Sequence, residues 1–533
     1  MRRRILASCS FFLLVVLFSN VSFAESEPLV KMTRISVDDS TQLATDIYLP
    51  DADGPFPCIL IRTPYNKDGQ KGEGEKFTQL GYAVVVQDTR GKFKSDGTFY
   101  PFRHERADGL VTVEWIRVQS WSNGKIAGWG GSYVGYTQLV IADELDAMVP
   151  VVTTANMYEA LYPAGLFSLA TAFNWGLMVD SQTSNPIPTE KIVAAYSILP
   201  LSVADDSTYK QNDFLDDWLR HQHYDAYWQS MDFRHLEPCP AYSVAGWWDI
   251  FLMSQIHDFV KKRHPASRLI IGPYAHGKIT IETEYGEHAN LYKNEAEIIR
   301  FLDDQLKGRS QPEDKPYSLF IMQRNEWIEC EQWPPTNSTP TPFYFHHNGL
   351  LSTVQDNEQK VYDYTYDPLN PFISLGGTFL GVGVGPAWQN PNAERKDQIV
   401  FESEPLAEPV VLLGPINATL YVSSDAPNTD FFVSLQEIRS DGQIINIQEG
   451  GATIEPGEKP ERLQISLWAT GYEVISGHRL RVCVISSLFP RYNRSLNSGE
   501  TIFAGRTPRI AQQQLFVGGE YPSQVLLPIF AIK

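Results

Sequence analysis

The residues with the clearest chemical potential form a glycine-rich turn around one serine, Gly128-Trp129-Gly130-Gly131-Ser132-Tyr133-Val134-Gly135. The turn follows an apolar run suited to a buried strand and precedes a candidate helix at 136–142, the context of a nucleophile elbow. Small residues permit a turn that holds the serine hydroxyl clear of the sheet. The pattern departs from G-x-S-x-G, since glycine stands at 135 and valine at 134. Taken alone, it fits a purely structural turn equally well.

A serine hydroxyl is a weak nucleophile, so a reactive Ser132 requires a base and an acid that orients it. Asp249 follows the strand-like run Ala241–Ala245, and His276 follows Arg268–Ile271. Both are therefore expected at the sheet edge where Ser132 lies, in the chain order serine, acid, histidine. His276 would take the hydroxyl proton, and Asp249 would fix the imidazole tautomer. The alternatives, which lie in helical or loop segments, are His257, His264 and His288 as base and Asp225 and Asp232 as acid.

The elements around these residues predict an α/β fold with an insertion. Buried-strand runs at Cys58–Ile61, Ala83–Val86 and Lys125–Gly128 alternate with candidate helices at 109–117 and 295–307, which predicts a parallel sheet covered on both faces. We assign 30–152 and 239–310 to this domain and 153–238, where aromatics recur at helical spacing, to a helical cap. Residues 311–533 consist of short alternating runs, such as 342–346 and 417–422, and predict a β jelly roll.

Bulk properties narrow the class of protein. A chain of 533 residues suggests two to four domains, and a formal net charge of −19 argues against a nucleic-acid partner. Residues 1–24 read as a signal peptide, with a basic start, an apolar run and Ser22-Phe23-Ala24 as cleavage site. We therefore expect export to the periplasm or the medium, without a membrane span.

Four cysteines follow the predicted leader. They are interpreted as buried thiols rather than as a disulfide or a metal site, and they are Cys58, Cys239, Cys330 and Cys483.

Five motifs in order resemble the cocaine esterase family, which is related to X-prolyl dipeptidyl aminopeptidases and includes α-amino acid ester hydrolases and glutaryl acylases. The motifs are Arg62-Thr63-Pro64-Tyr65-Asn66-Lys67, Gln87-Asp88-Thr89-Arg90-Gly91, Gly130 to Gly135, Gly246-Trp247-Trp248-Asp249 and Gly272-Pro273-Tyr274-Ala275-His276. The serine motif of that family, G-x-S-Y-x-G, accounts for the displaced glycine. The resemblance continues to the C-terminal region, through Trp333-Pro334-Pro335 and Ser423-Ser424-Asp425-Ala426-Pro427.

The resemblance implies an α/β-hydrolase domain, an inserted helical cap and a C-terminal jelly roll. It also implies that the Tyr65 hydroxyl and the Tyr133 backbone N–H form the oxyanion hole. Asp88 and Arg90 are interpreted as a structural charge pair. Such chemistry needs no cofactor and no metal, and members of the family often self-associate, so a homo-oligomer is an expectation of the resemblance.

The substrate is the least determined property. In α-amino acid ester hydrolases, acidic residues shortly after the triad aspartate recognise the ammonium group, whereas Ile250 and Phe251 follow Asp249 here. An unpaired ammonium in an apolar pocket is costly, so we expect an apolar acyl pocket lined by Trp248 or Phe251. The sequence thus predicts a serine hydrolase that cleaves an ester or amide through an acyl-enzyme. The alternatives are an X-Pro dipeptidyl-peptidase or α-amino acid ester hydrolase, and a non-catalytic protein that binds glycan or a cell surface.

Overall fold

The structure is a computed structural model that describes residues 29–180, 187–208, 212–279, 295–309, 314–457 and 459–532. A ten-stranded sheet forms the centre of the N-terminal part. Its strands, numbered along the chain, are β1 (Leu29–Ser36), β2 (Gln42–Leu49), β3 (Phe56–Thr63), β4 (Ala83–Asp88), β5 (Ser122–Gly131), β6 (Ala147–Val151), β7 (Tyr242–Trp248), β8 (Arg268–Ala275), β10 (Tyr317–Ile321) and β11 (Glu326–Cys330). The predicted signal peptide and His288 lie outside the described residues.

The strands lie in the order β1-β2-β4-β3-β5-β6-β7-β8-β10-β11. Neighbouring strands from β4 to β10 are parallel, and β1, β2 and β11 are antiparallel at the two edges. The predicted parallel sheet and the α/β class are confirmed. The helices that cover it are α1 (Lys71–Gln79), α2 (Glu105–Arg117), α3 (Tyr133–Leu139), α9 (Leu252–Lys261) and α10 (Glu295–Lys307).

Both faces of the sheet are buried by these helices. Val84 and Val86 of β4 share a core with α1 and α10, whereas Val85 between them shares a core with α2, α3 and α9. Successive side chains of a strand point to opposite faces. The central strands are therefore continuous apolar runs rather than alternating ones, which is the pattern that the sequence contains.

The cap consists of helices between β6 and β7, inside the range 153–238. These helices are α4 (Met157–Leu161), α5 (Leu169–Asp180), α6 (Thr189–Ala195), α7 (Asp213–Arg220) and α8 (Ala226–Gln229). In α7 the buried residues Phe214, Leu215, Trp218 and Leu219 form one face, and the Asn212 side chain caps its first turn by accepting the Leu215 N–H. The apolar face of α7 thus belongs to the same hydrophobic core as β5, β7 and β8.

The C-terminal part forms two antiparallel sheets, and the predicted jelly roll is confirmed. The remaining strands are β9 (Gly277–Ile279), β12 (Ser338–Phe345), β13 (Leu351–Ser352), β14 (Lys360–Tyr366), β15 (Gly381–Val384), β16 (Ile399–Glu402), β17 (Val410–Ser424), β18 (Thr429–Ile438), β19 (Ile444–Ile454), β20 (Glu461–Val474), β21 (Arg479–Ile485), β22 (Ala511–Val517) and β23 (Gln524–Phe530). One C-terminal sheet has the order β13-β12-β23-β17-β22-β14, with β20 paired to β17, and the other has the order β16-β21-β18-β19.

Two strands that follow residue 310, the limit given to the α/β domain from the sequence, extend the main sheet. Strand β10 pairs in parallel with β8, and β11 adds an antiparallel edge strand. The main sheet therefore continues to Cys330. An apolar run such as Tyr317–Ile321 is compatible with a strand of the α/β sheet or of the jelly roll. Its pairing with β8 assigns it to the main sheet.

The four cysteines described after the predicted leader are free thiols. Cys58, Cys239 and Cys483 are buried, and Cys330 is partly exposed at the edge strand β11. Among the described residues, no helix combines the length and apolarity needed to cross a membrane. Within the same residues, no group of three or more His, Cys, Asp or Glu side chains is arranged to hold a metal ion.

Backbone hydrogen bonds join the jelly roll to the main sheet. The Met322 N–H donates to the Gly471 carbonyl at 2.8 Å, and the Glu473 N–H donates to the Met322 carbonyl at 3.0 Å. A Cβ at position 471 would lie 2.5 Å from the Phe320 carbonyl oxygen and 2.9 Å from the Trp247 ring. This contact therefore requires glycine.

We predict that Gly471→Ala destabilises the protein by about 1–3 kcal/mol, because the added methyl group forces the two domains apart. Differential scanning calorimetry of the full chain measures the lower Tm. Gly72→Ala is the matched control, since a Cβ there meets nothing within 4 Å and the residue lies in α1. An unchanged Tm for Gly471→Ala would contradict the close approach.

Candidate active site

Ser132 lies in a strained turn between β5 and α3. Its φ of 57° and ψ of −127° are unusual for any residue other than glycine. The end of β6 holds this turn, because the Ser132 N–H donates to the Val151 carbonyl at 2.9 Å and the Thr153 hydroxyl donates to the Ser132 carbonyl at 2.8 Å. A Cβ at Gly130 would lie 2.4 Å from Val134 Cγ1. The valine that departs from G-x-S-x-G is therefore accommodated because residue 130 has no side chain.

His276 connects Ser132 to Asp249. Its Nε2 lies 2.9 Å from Ser132 Oγ, and its Nδ1 lies 2.8 Å from Asp249 Oδ2. Asp249 is 0% exposed, and its other oxygen accepts the Phe251 N–H at 2.8 Å. The Phe251 ring contacts the imidazole edge-on, with centroids 5.3 Å apart. The structure thus brings together three side chains from the carboxyl ends of β5, β7 and β8.

Two tyrosines contact the serine turn. The Tyr65 hydroxyl oxygen accepts the Trp175 indole N–H at 2.9 Å. Burial raises the pKa of Tyr65 to about 12, although hydrogen bonds with Trp175 and Ser132 oppose that shift, so the phenol keeps its proton at neutral pH. Tyr133 is the first residue of α3, where backbone N–H groups have no partner inside the helix. Both groups can therefore donate a hydrogen bond near Ser132 Oγ.

The side chain of Tyr133 is anchored in a buried polar cluster. Its hydroxyl donates to one oxygen of Glu105 and accepts the Phe102 N–H at 3.0 Å. The other oxygen of Glu105 accepts the His104 N–H at 3.0 Å, and Arg62 donates to the Glu105 carbonyl at 2.5 Å. Burial raises the pKa of the Glu105 carboxyl to about 7, although the hydrogen bond from Tyr133 and the charge of Arg62 oppose this. Nothing in the sequence pattern had marked Glu105.

An apolar pocket opens at Ser132 Oγ and His276. Its described walls contain no Asp, Glu, Lys or Arg side chain. Phe251 is one of the walls, as the sequence suggested. The residues that line the pocket with Ser132, Tyr133 and His276 are Phe102, Met157, Ala160, Leu161, Thr171, Trp175, Trp218, Ile250, Phe251 and Leu380.

Trp248, the other residue expected in this pocket, does not line it. Its side chain is 1% exposed, and its indole N–H donates to Met322 Sδ at 3.2 Å. The end of β7 is covered on both sides, so a tryptophan there can face the core as readily as the cleft. The expectation for Trp248 is corrected, and it belongs to the joint between β7 and the segment after β10.

The jelly roll also contributes to the pocket. Leu380 lies directly before β15, and its backbone is fixed to the cap: its N–H donates to the Thr171 hydroxyl at 3.2 Å, and its carbonyl accepts the Asn174 amide N–H at 2.5 Å. Strand β15 pairs in parallel with β9, which starts immediately after His276. Segment 380–384 therefore touches the cap, the pocket and the histidine loop.

The remaining candidates lie in other hydrogen-bonded groups. His257 contacts Glu159, and Asp232 pairs with Arg234. Asp225 caps α8 and contacts His221. None of them is among the residues that line the pocket.

The expected pairing of Asp88 with Arg90 is also corrected. Asp88, at the end of β4, accepts the backbone N–H groups of Lys67 and Lys94. The Arg90 guanidinium pairs instead with Asp108 of α2 at 2.6 Å and with Asp38 at 2.7 Å. Both residues brace loops, but with different partners, because the chain turns after β4.

The comparisons agree with this architecture. Residues 39–278 match the family described as X-Pro dipeptidyl-peptidase (S15 family), and residues 312–526 match its C-terminal non-catalytic domain. The sequence is 32% identical to the cocaine esterase of Rhodococcus sp. (strain MB1 Bresler), over 93% of this chain and 97% of that protein.

Solved structures show the same fold across nearly the whole chain. An aminopeptidase from a marine sediment Thaumarchaeota archaeon has a TM-score of 0.83 at 20% identity, covering 97% of this chain and 100% of that one. An α-amino acid ester hydrolase has a TM-score of 0.79 at 21% identity, covering 98% and 100%. With the family matches and the esterase relative, these findings lead to one assignment: the chain belongs to the S15 and cocaine esterase family and is a serine hydrolase.

Proposed function

We propose that this protein hydrolyses esters or amides with a neutral, apolar acyl group, through Ser132, His276 and Asp249. The observation that carries the proposal is the continuous contact from Ser132 Oγ to His276 Nε2 (2.9 Å) and from His276 Nδ1 to Asp249 (2.8 Å) at the mouth of an apolar pocket. These distances suit direct proton transfer from the serine hydroxyl to the imidazole. The hydrogen bond from the Phe251 N–H holds the Asp249 carboxylate in place as the imidazole becomes charged.

The reaction proceeds in two halves. Ser132 Oγ attacks the acyl carbonyl while His276 Nε2 takes its proton, and the carbonyl oxygen becomes an oxyanion that accepts hydrogen bonds from the Tyr65 hydroxyl and the Tyr133 N–H. The leaving group departs with the proton from His276, which leaves an acyl-serine. Water then attacks this ester, His276 removes one proton from the water, and the free acid leaves as Ser132 regains its proton.

Pocket chemistry supports a neutral acyl group. An ammonium placed against the described walls would meet no carboxylate, and burying it unpaired would cost several kcal/mol. The aromatic walls Phe102, Trp175 and Trp218 stack nearly parallel, with ring centroids 5.6–6.1 Å apart. Flat apolar acyl groups fit such surfaces through area burial and stacking.

A second candidate is cleavage of substrates with a free amino terminus. The match to the S15 peptidase family and the likeness to an aminopeptidase favour it. Glu282, Glu284 and Glu287, which follow His276 in the chain, lie outside the described residues. Substrate preference therefore has to decide between the two.

Labelling with a fluorophosphonate probe tests the nucleophile. We expect wild-type protein to be labelled stoichiometrically and Ser132→Ala to lose labelling and at least about 10⁴-fold in kcat. Ser230→Ala is the matched control, because Ser230 is exposed in the cap and its hydroxyl donates to the Tyr227 carbonyl. Folded wild-type protein that remains unlabelled would refute the hydrolytic assignment of this site.

A substrate panel tests the acyl preference. We expect kcat/KM for 4-nitrophenyl butyrate and benzoate to exceed that for α-amino acid 4-nitrophenyl esters and Ala-Pro 4-nitroanilide by about 10-fold or more, since the ammonium must shed its water. Leu161→Asp should shift preference toward the α-amino esters, and Leu161→Asn, equal in size but uncharged, should not. Wild-type preference for the free-amine substrates would reverse the assignment.

Glu105 predicts a pH effect on stability. Its pKa is raised from 4.5 to about 7 in the folded protein, so the folded state holds the proton more tightly than the unfolded chain between these values. The contribution of this group to the free energy of unfolding is therefore present below pH 4.5 and falls as pH rises toward 7. Relative to Glu105→Gln, wild-type stability should drop by about 3 kcal/mol across that range. Urea unfolding at pH 5, 6, 7 and 8 measures it, and parallel pH profiles would contradict it.

A further inference from the structure

Trp175 is held in one orientation by its neighbours. It lies on cap helix α5, and its ring stacks on Tyr133 with centroids 5.7 Å apart and planes at 10°. Phe102 and Trp218 stack on it at 5.6 Å and 6.0 Å, with planes at 17° and 23°. A ring confined by three others cannot rotate freely, so the direction of its indole N–H is set by the stack.

That N–H points to the oxygen of Tyr65. The Nε1–Oη distance is 2.9 Å, and an indole nitrogen can only donate a hydrogen bond. The phenol oxygen is therefore the acceptor, and its own hydrogen must be directed elsewhere. The Ser132 hydroxyl is the other hydrogen-bonding neighbour of the phenol. The O–H of Tyr65 is consequently directed toward Ser132, beside which a substrate oxyanion would form.

We propose that Trp175 is a positioning residue of the cap, which orients the Tyr65 hydroxyl as a donor to the oxyanion. The inference rests on the proposed function and extends it by making the cap part of the oxyanion hole. If the residue at position 175 were a hydrogen-bond acceptor, the Tyr65 hydroxyl would donate its hydrogen to that residue. Because Trp175 is a donor, the Tyr65 hydrogen is directed away from it before substrate binds. The hydroxyl therefore need not reorient as negative charge develops on the substrate oxygen.

The test is a double-mutant cycle with Trp175→Phe, Tyr65→Phe and the double variant. Phenylalanine keeps an aromatic ring in the stack and removes the N–H, but it also covers less area than the indole, so the loss of ring area needs its own control. We expect Trp175→Phe to lower kcat for 4-nitrophenyl butyrate by about 10-fold with KM within twofold, as for the loss of one hydrogen bond. In a Tyr65→Phe background, the same change should cost less than about twofold, because no hydroxyl remains to be oriented.

Trp218→Phe is the control for a lost indole in the same stack. Its fold-change in kcat should be the same with and without Tyr65→Phe, because the two changes are expected to act independently. The rate of fluorophosphonate labelling is the second readout, since the phosphoryl oxygen of the probe enters the same hole; Trp175→Phe should slow it by the same factor as kcat. If Trp175→Phe lowers kcat by the same factor in the wild-type and Tyr65→Phe backgrounds, the inference is overturned, but the proposed hydrolase function is not. Activity that survives Ser132→Ala would instead overturn the proposed function.

Discussion

The hydrogen bond between His276 Nδ1 and the fully buried Asp249 requires several parts of the fold to be in place. A carboxylate without water must have a partner for each oxygen, and here they are the imidazole and the Phe251 N–H. The aspartate and histidine follow β7 and β8, which are adjacent and parallel. The register of these two strands therefore decides whether the imidazole can reach Ser132 at the end of β5.

The active site is shared among all three parts of the chain. The sheet supplies the reacting side chains, the cap supplies Trp175 and most apolar walls, and the jelly roll supplies Leu380. These parts share one hydrophobic core, and specific polar contacts also join them, such as those of the Leu380 backbone with Thr171 and Asn174. A change in how the cap sits would consequently alter both pocket shape and the environment of Tyr65.

The sequence contained enough to predict the sheet, the insertion and the position of the reacting residues, because these depend on local patterns. The sequence shows a glycine-rich turn after one apolar run and polar residues after two others. These patterns can be recognised without knowing which residues they contact in the fold. The roles of Trp175 and Glu105 could not be predicted from the sequence. They depend on contacts with Tyr65 and Tyr133 respectively, which lie far away in the chain. Trp248 was misplaced for the same reason: burial alone does not tell a pocket wall from a core residue.

The pairing of β15 with β9 has a consequence for biosynthesis. Residues 381–384 emerge from the ribosome more than a hundred residues after His276, which at 5–20 residues per second is a delay of roughly 5–20 s. During that interval the nascent polypeptide carries its serine, aspartate and histidine without the strand that flanks the histidine loop or the leucine that closes the cleft. A product that ends before residue 380 would therefore contain Ser132, Asp249 and His276 but lack the strand paired with β9 and one wall of the pocket.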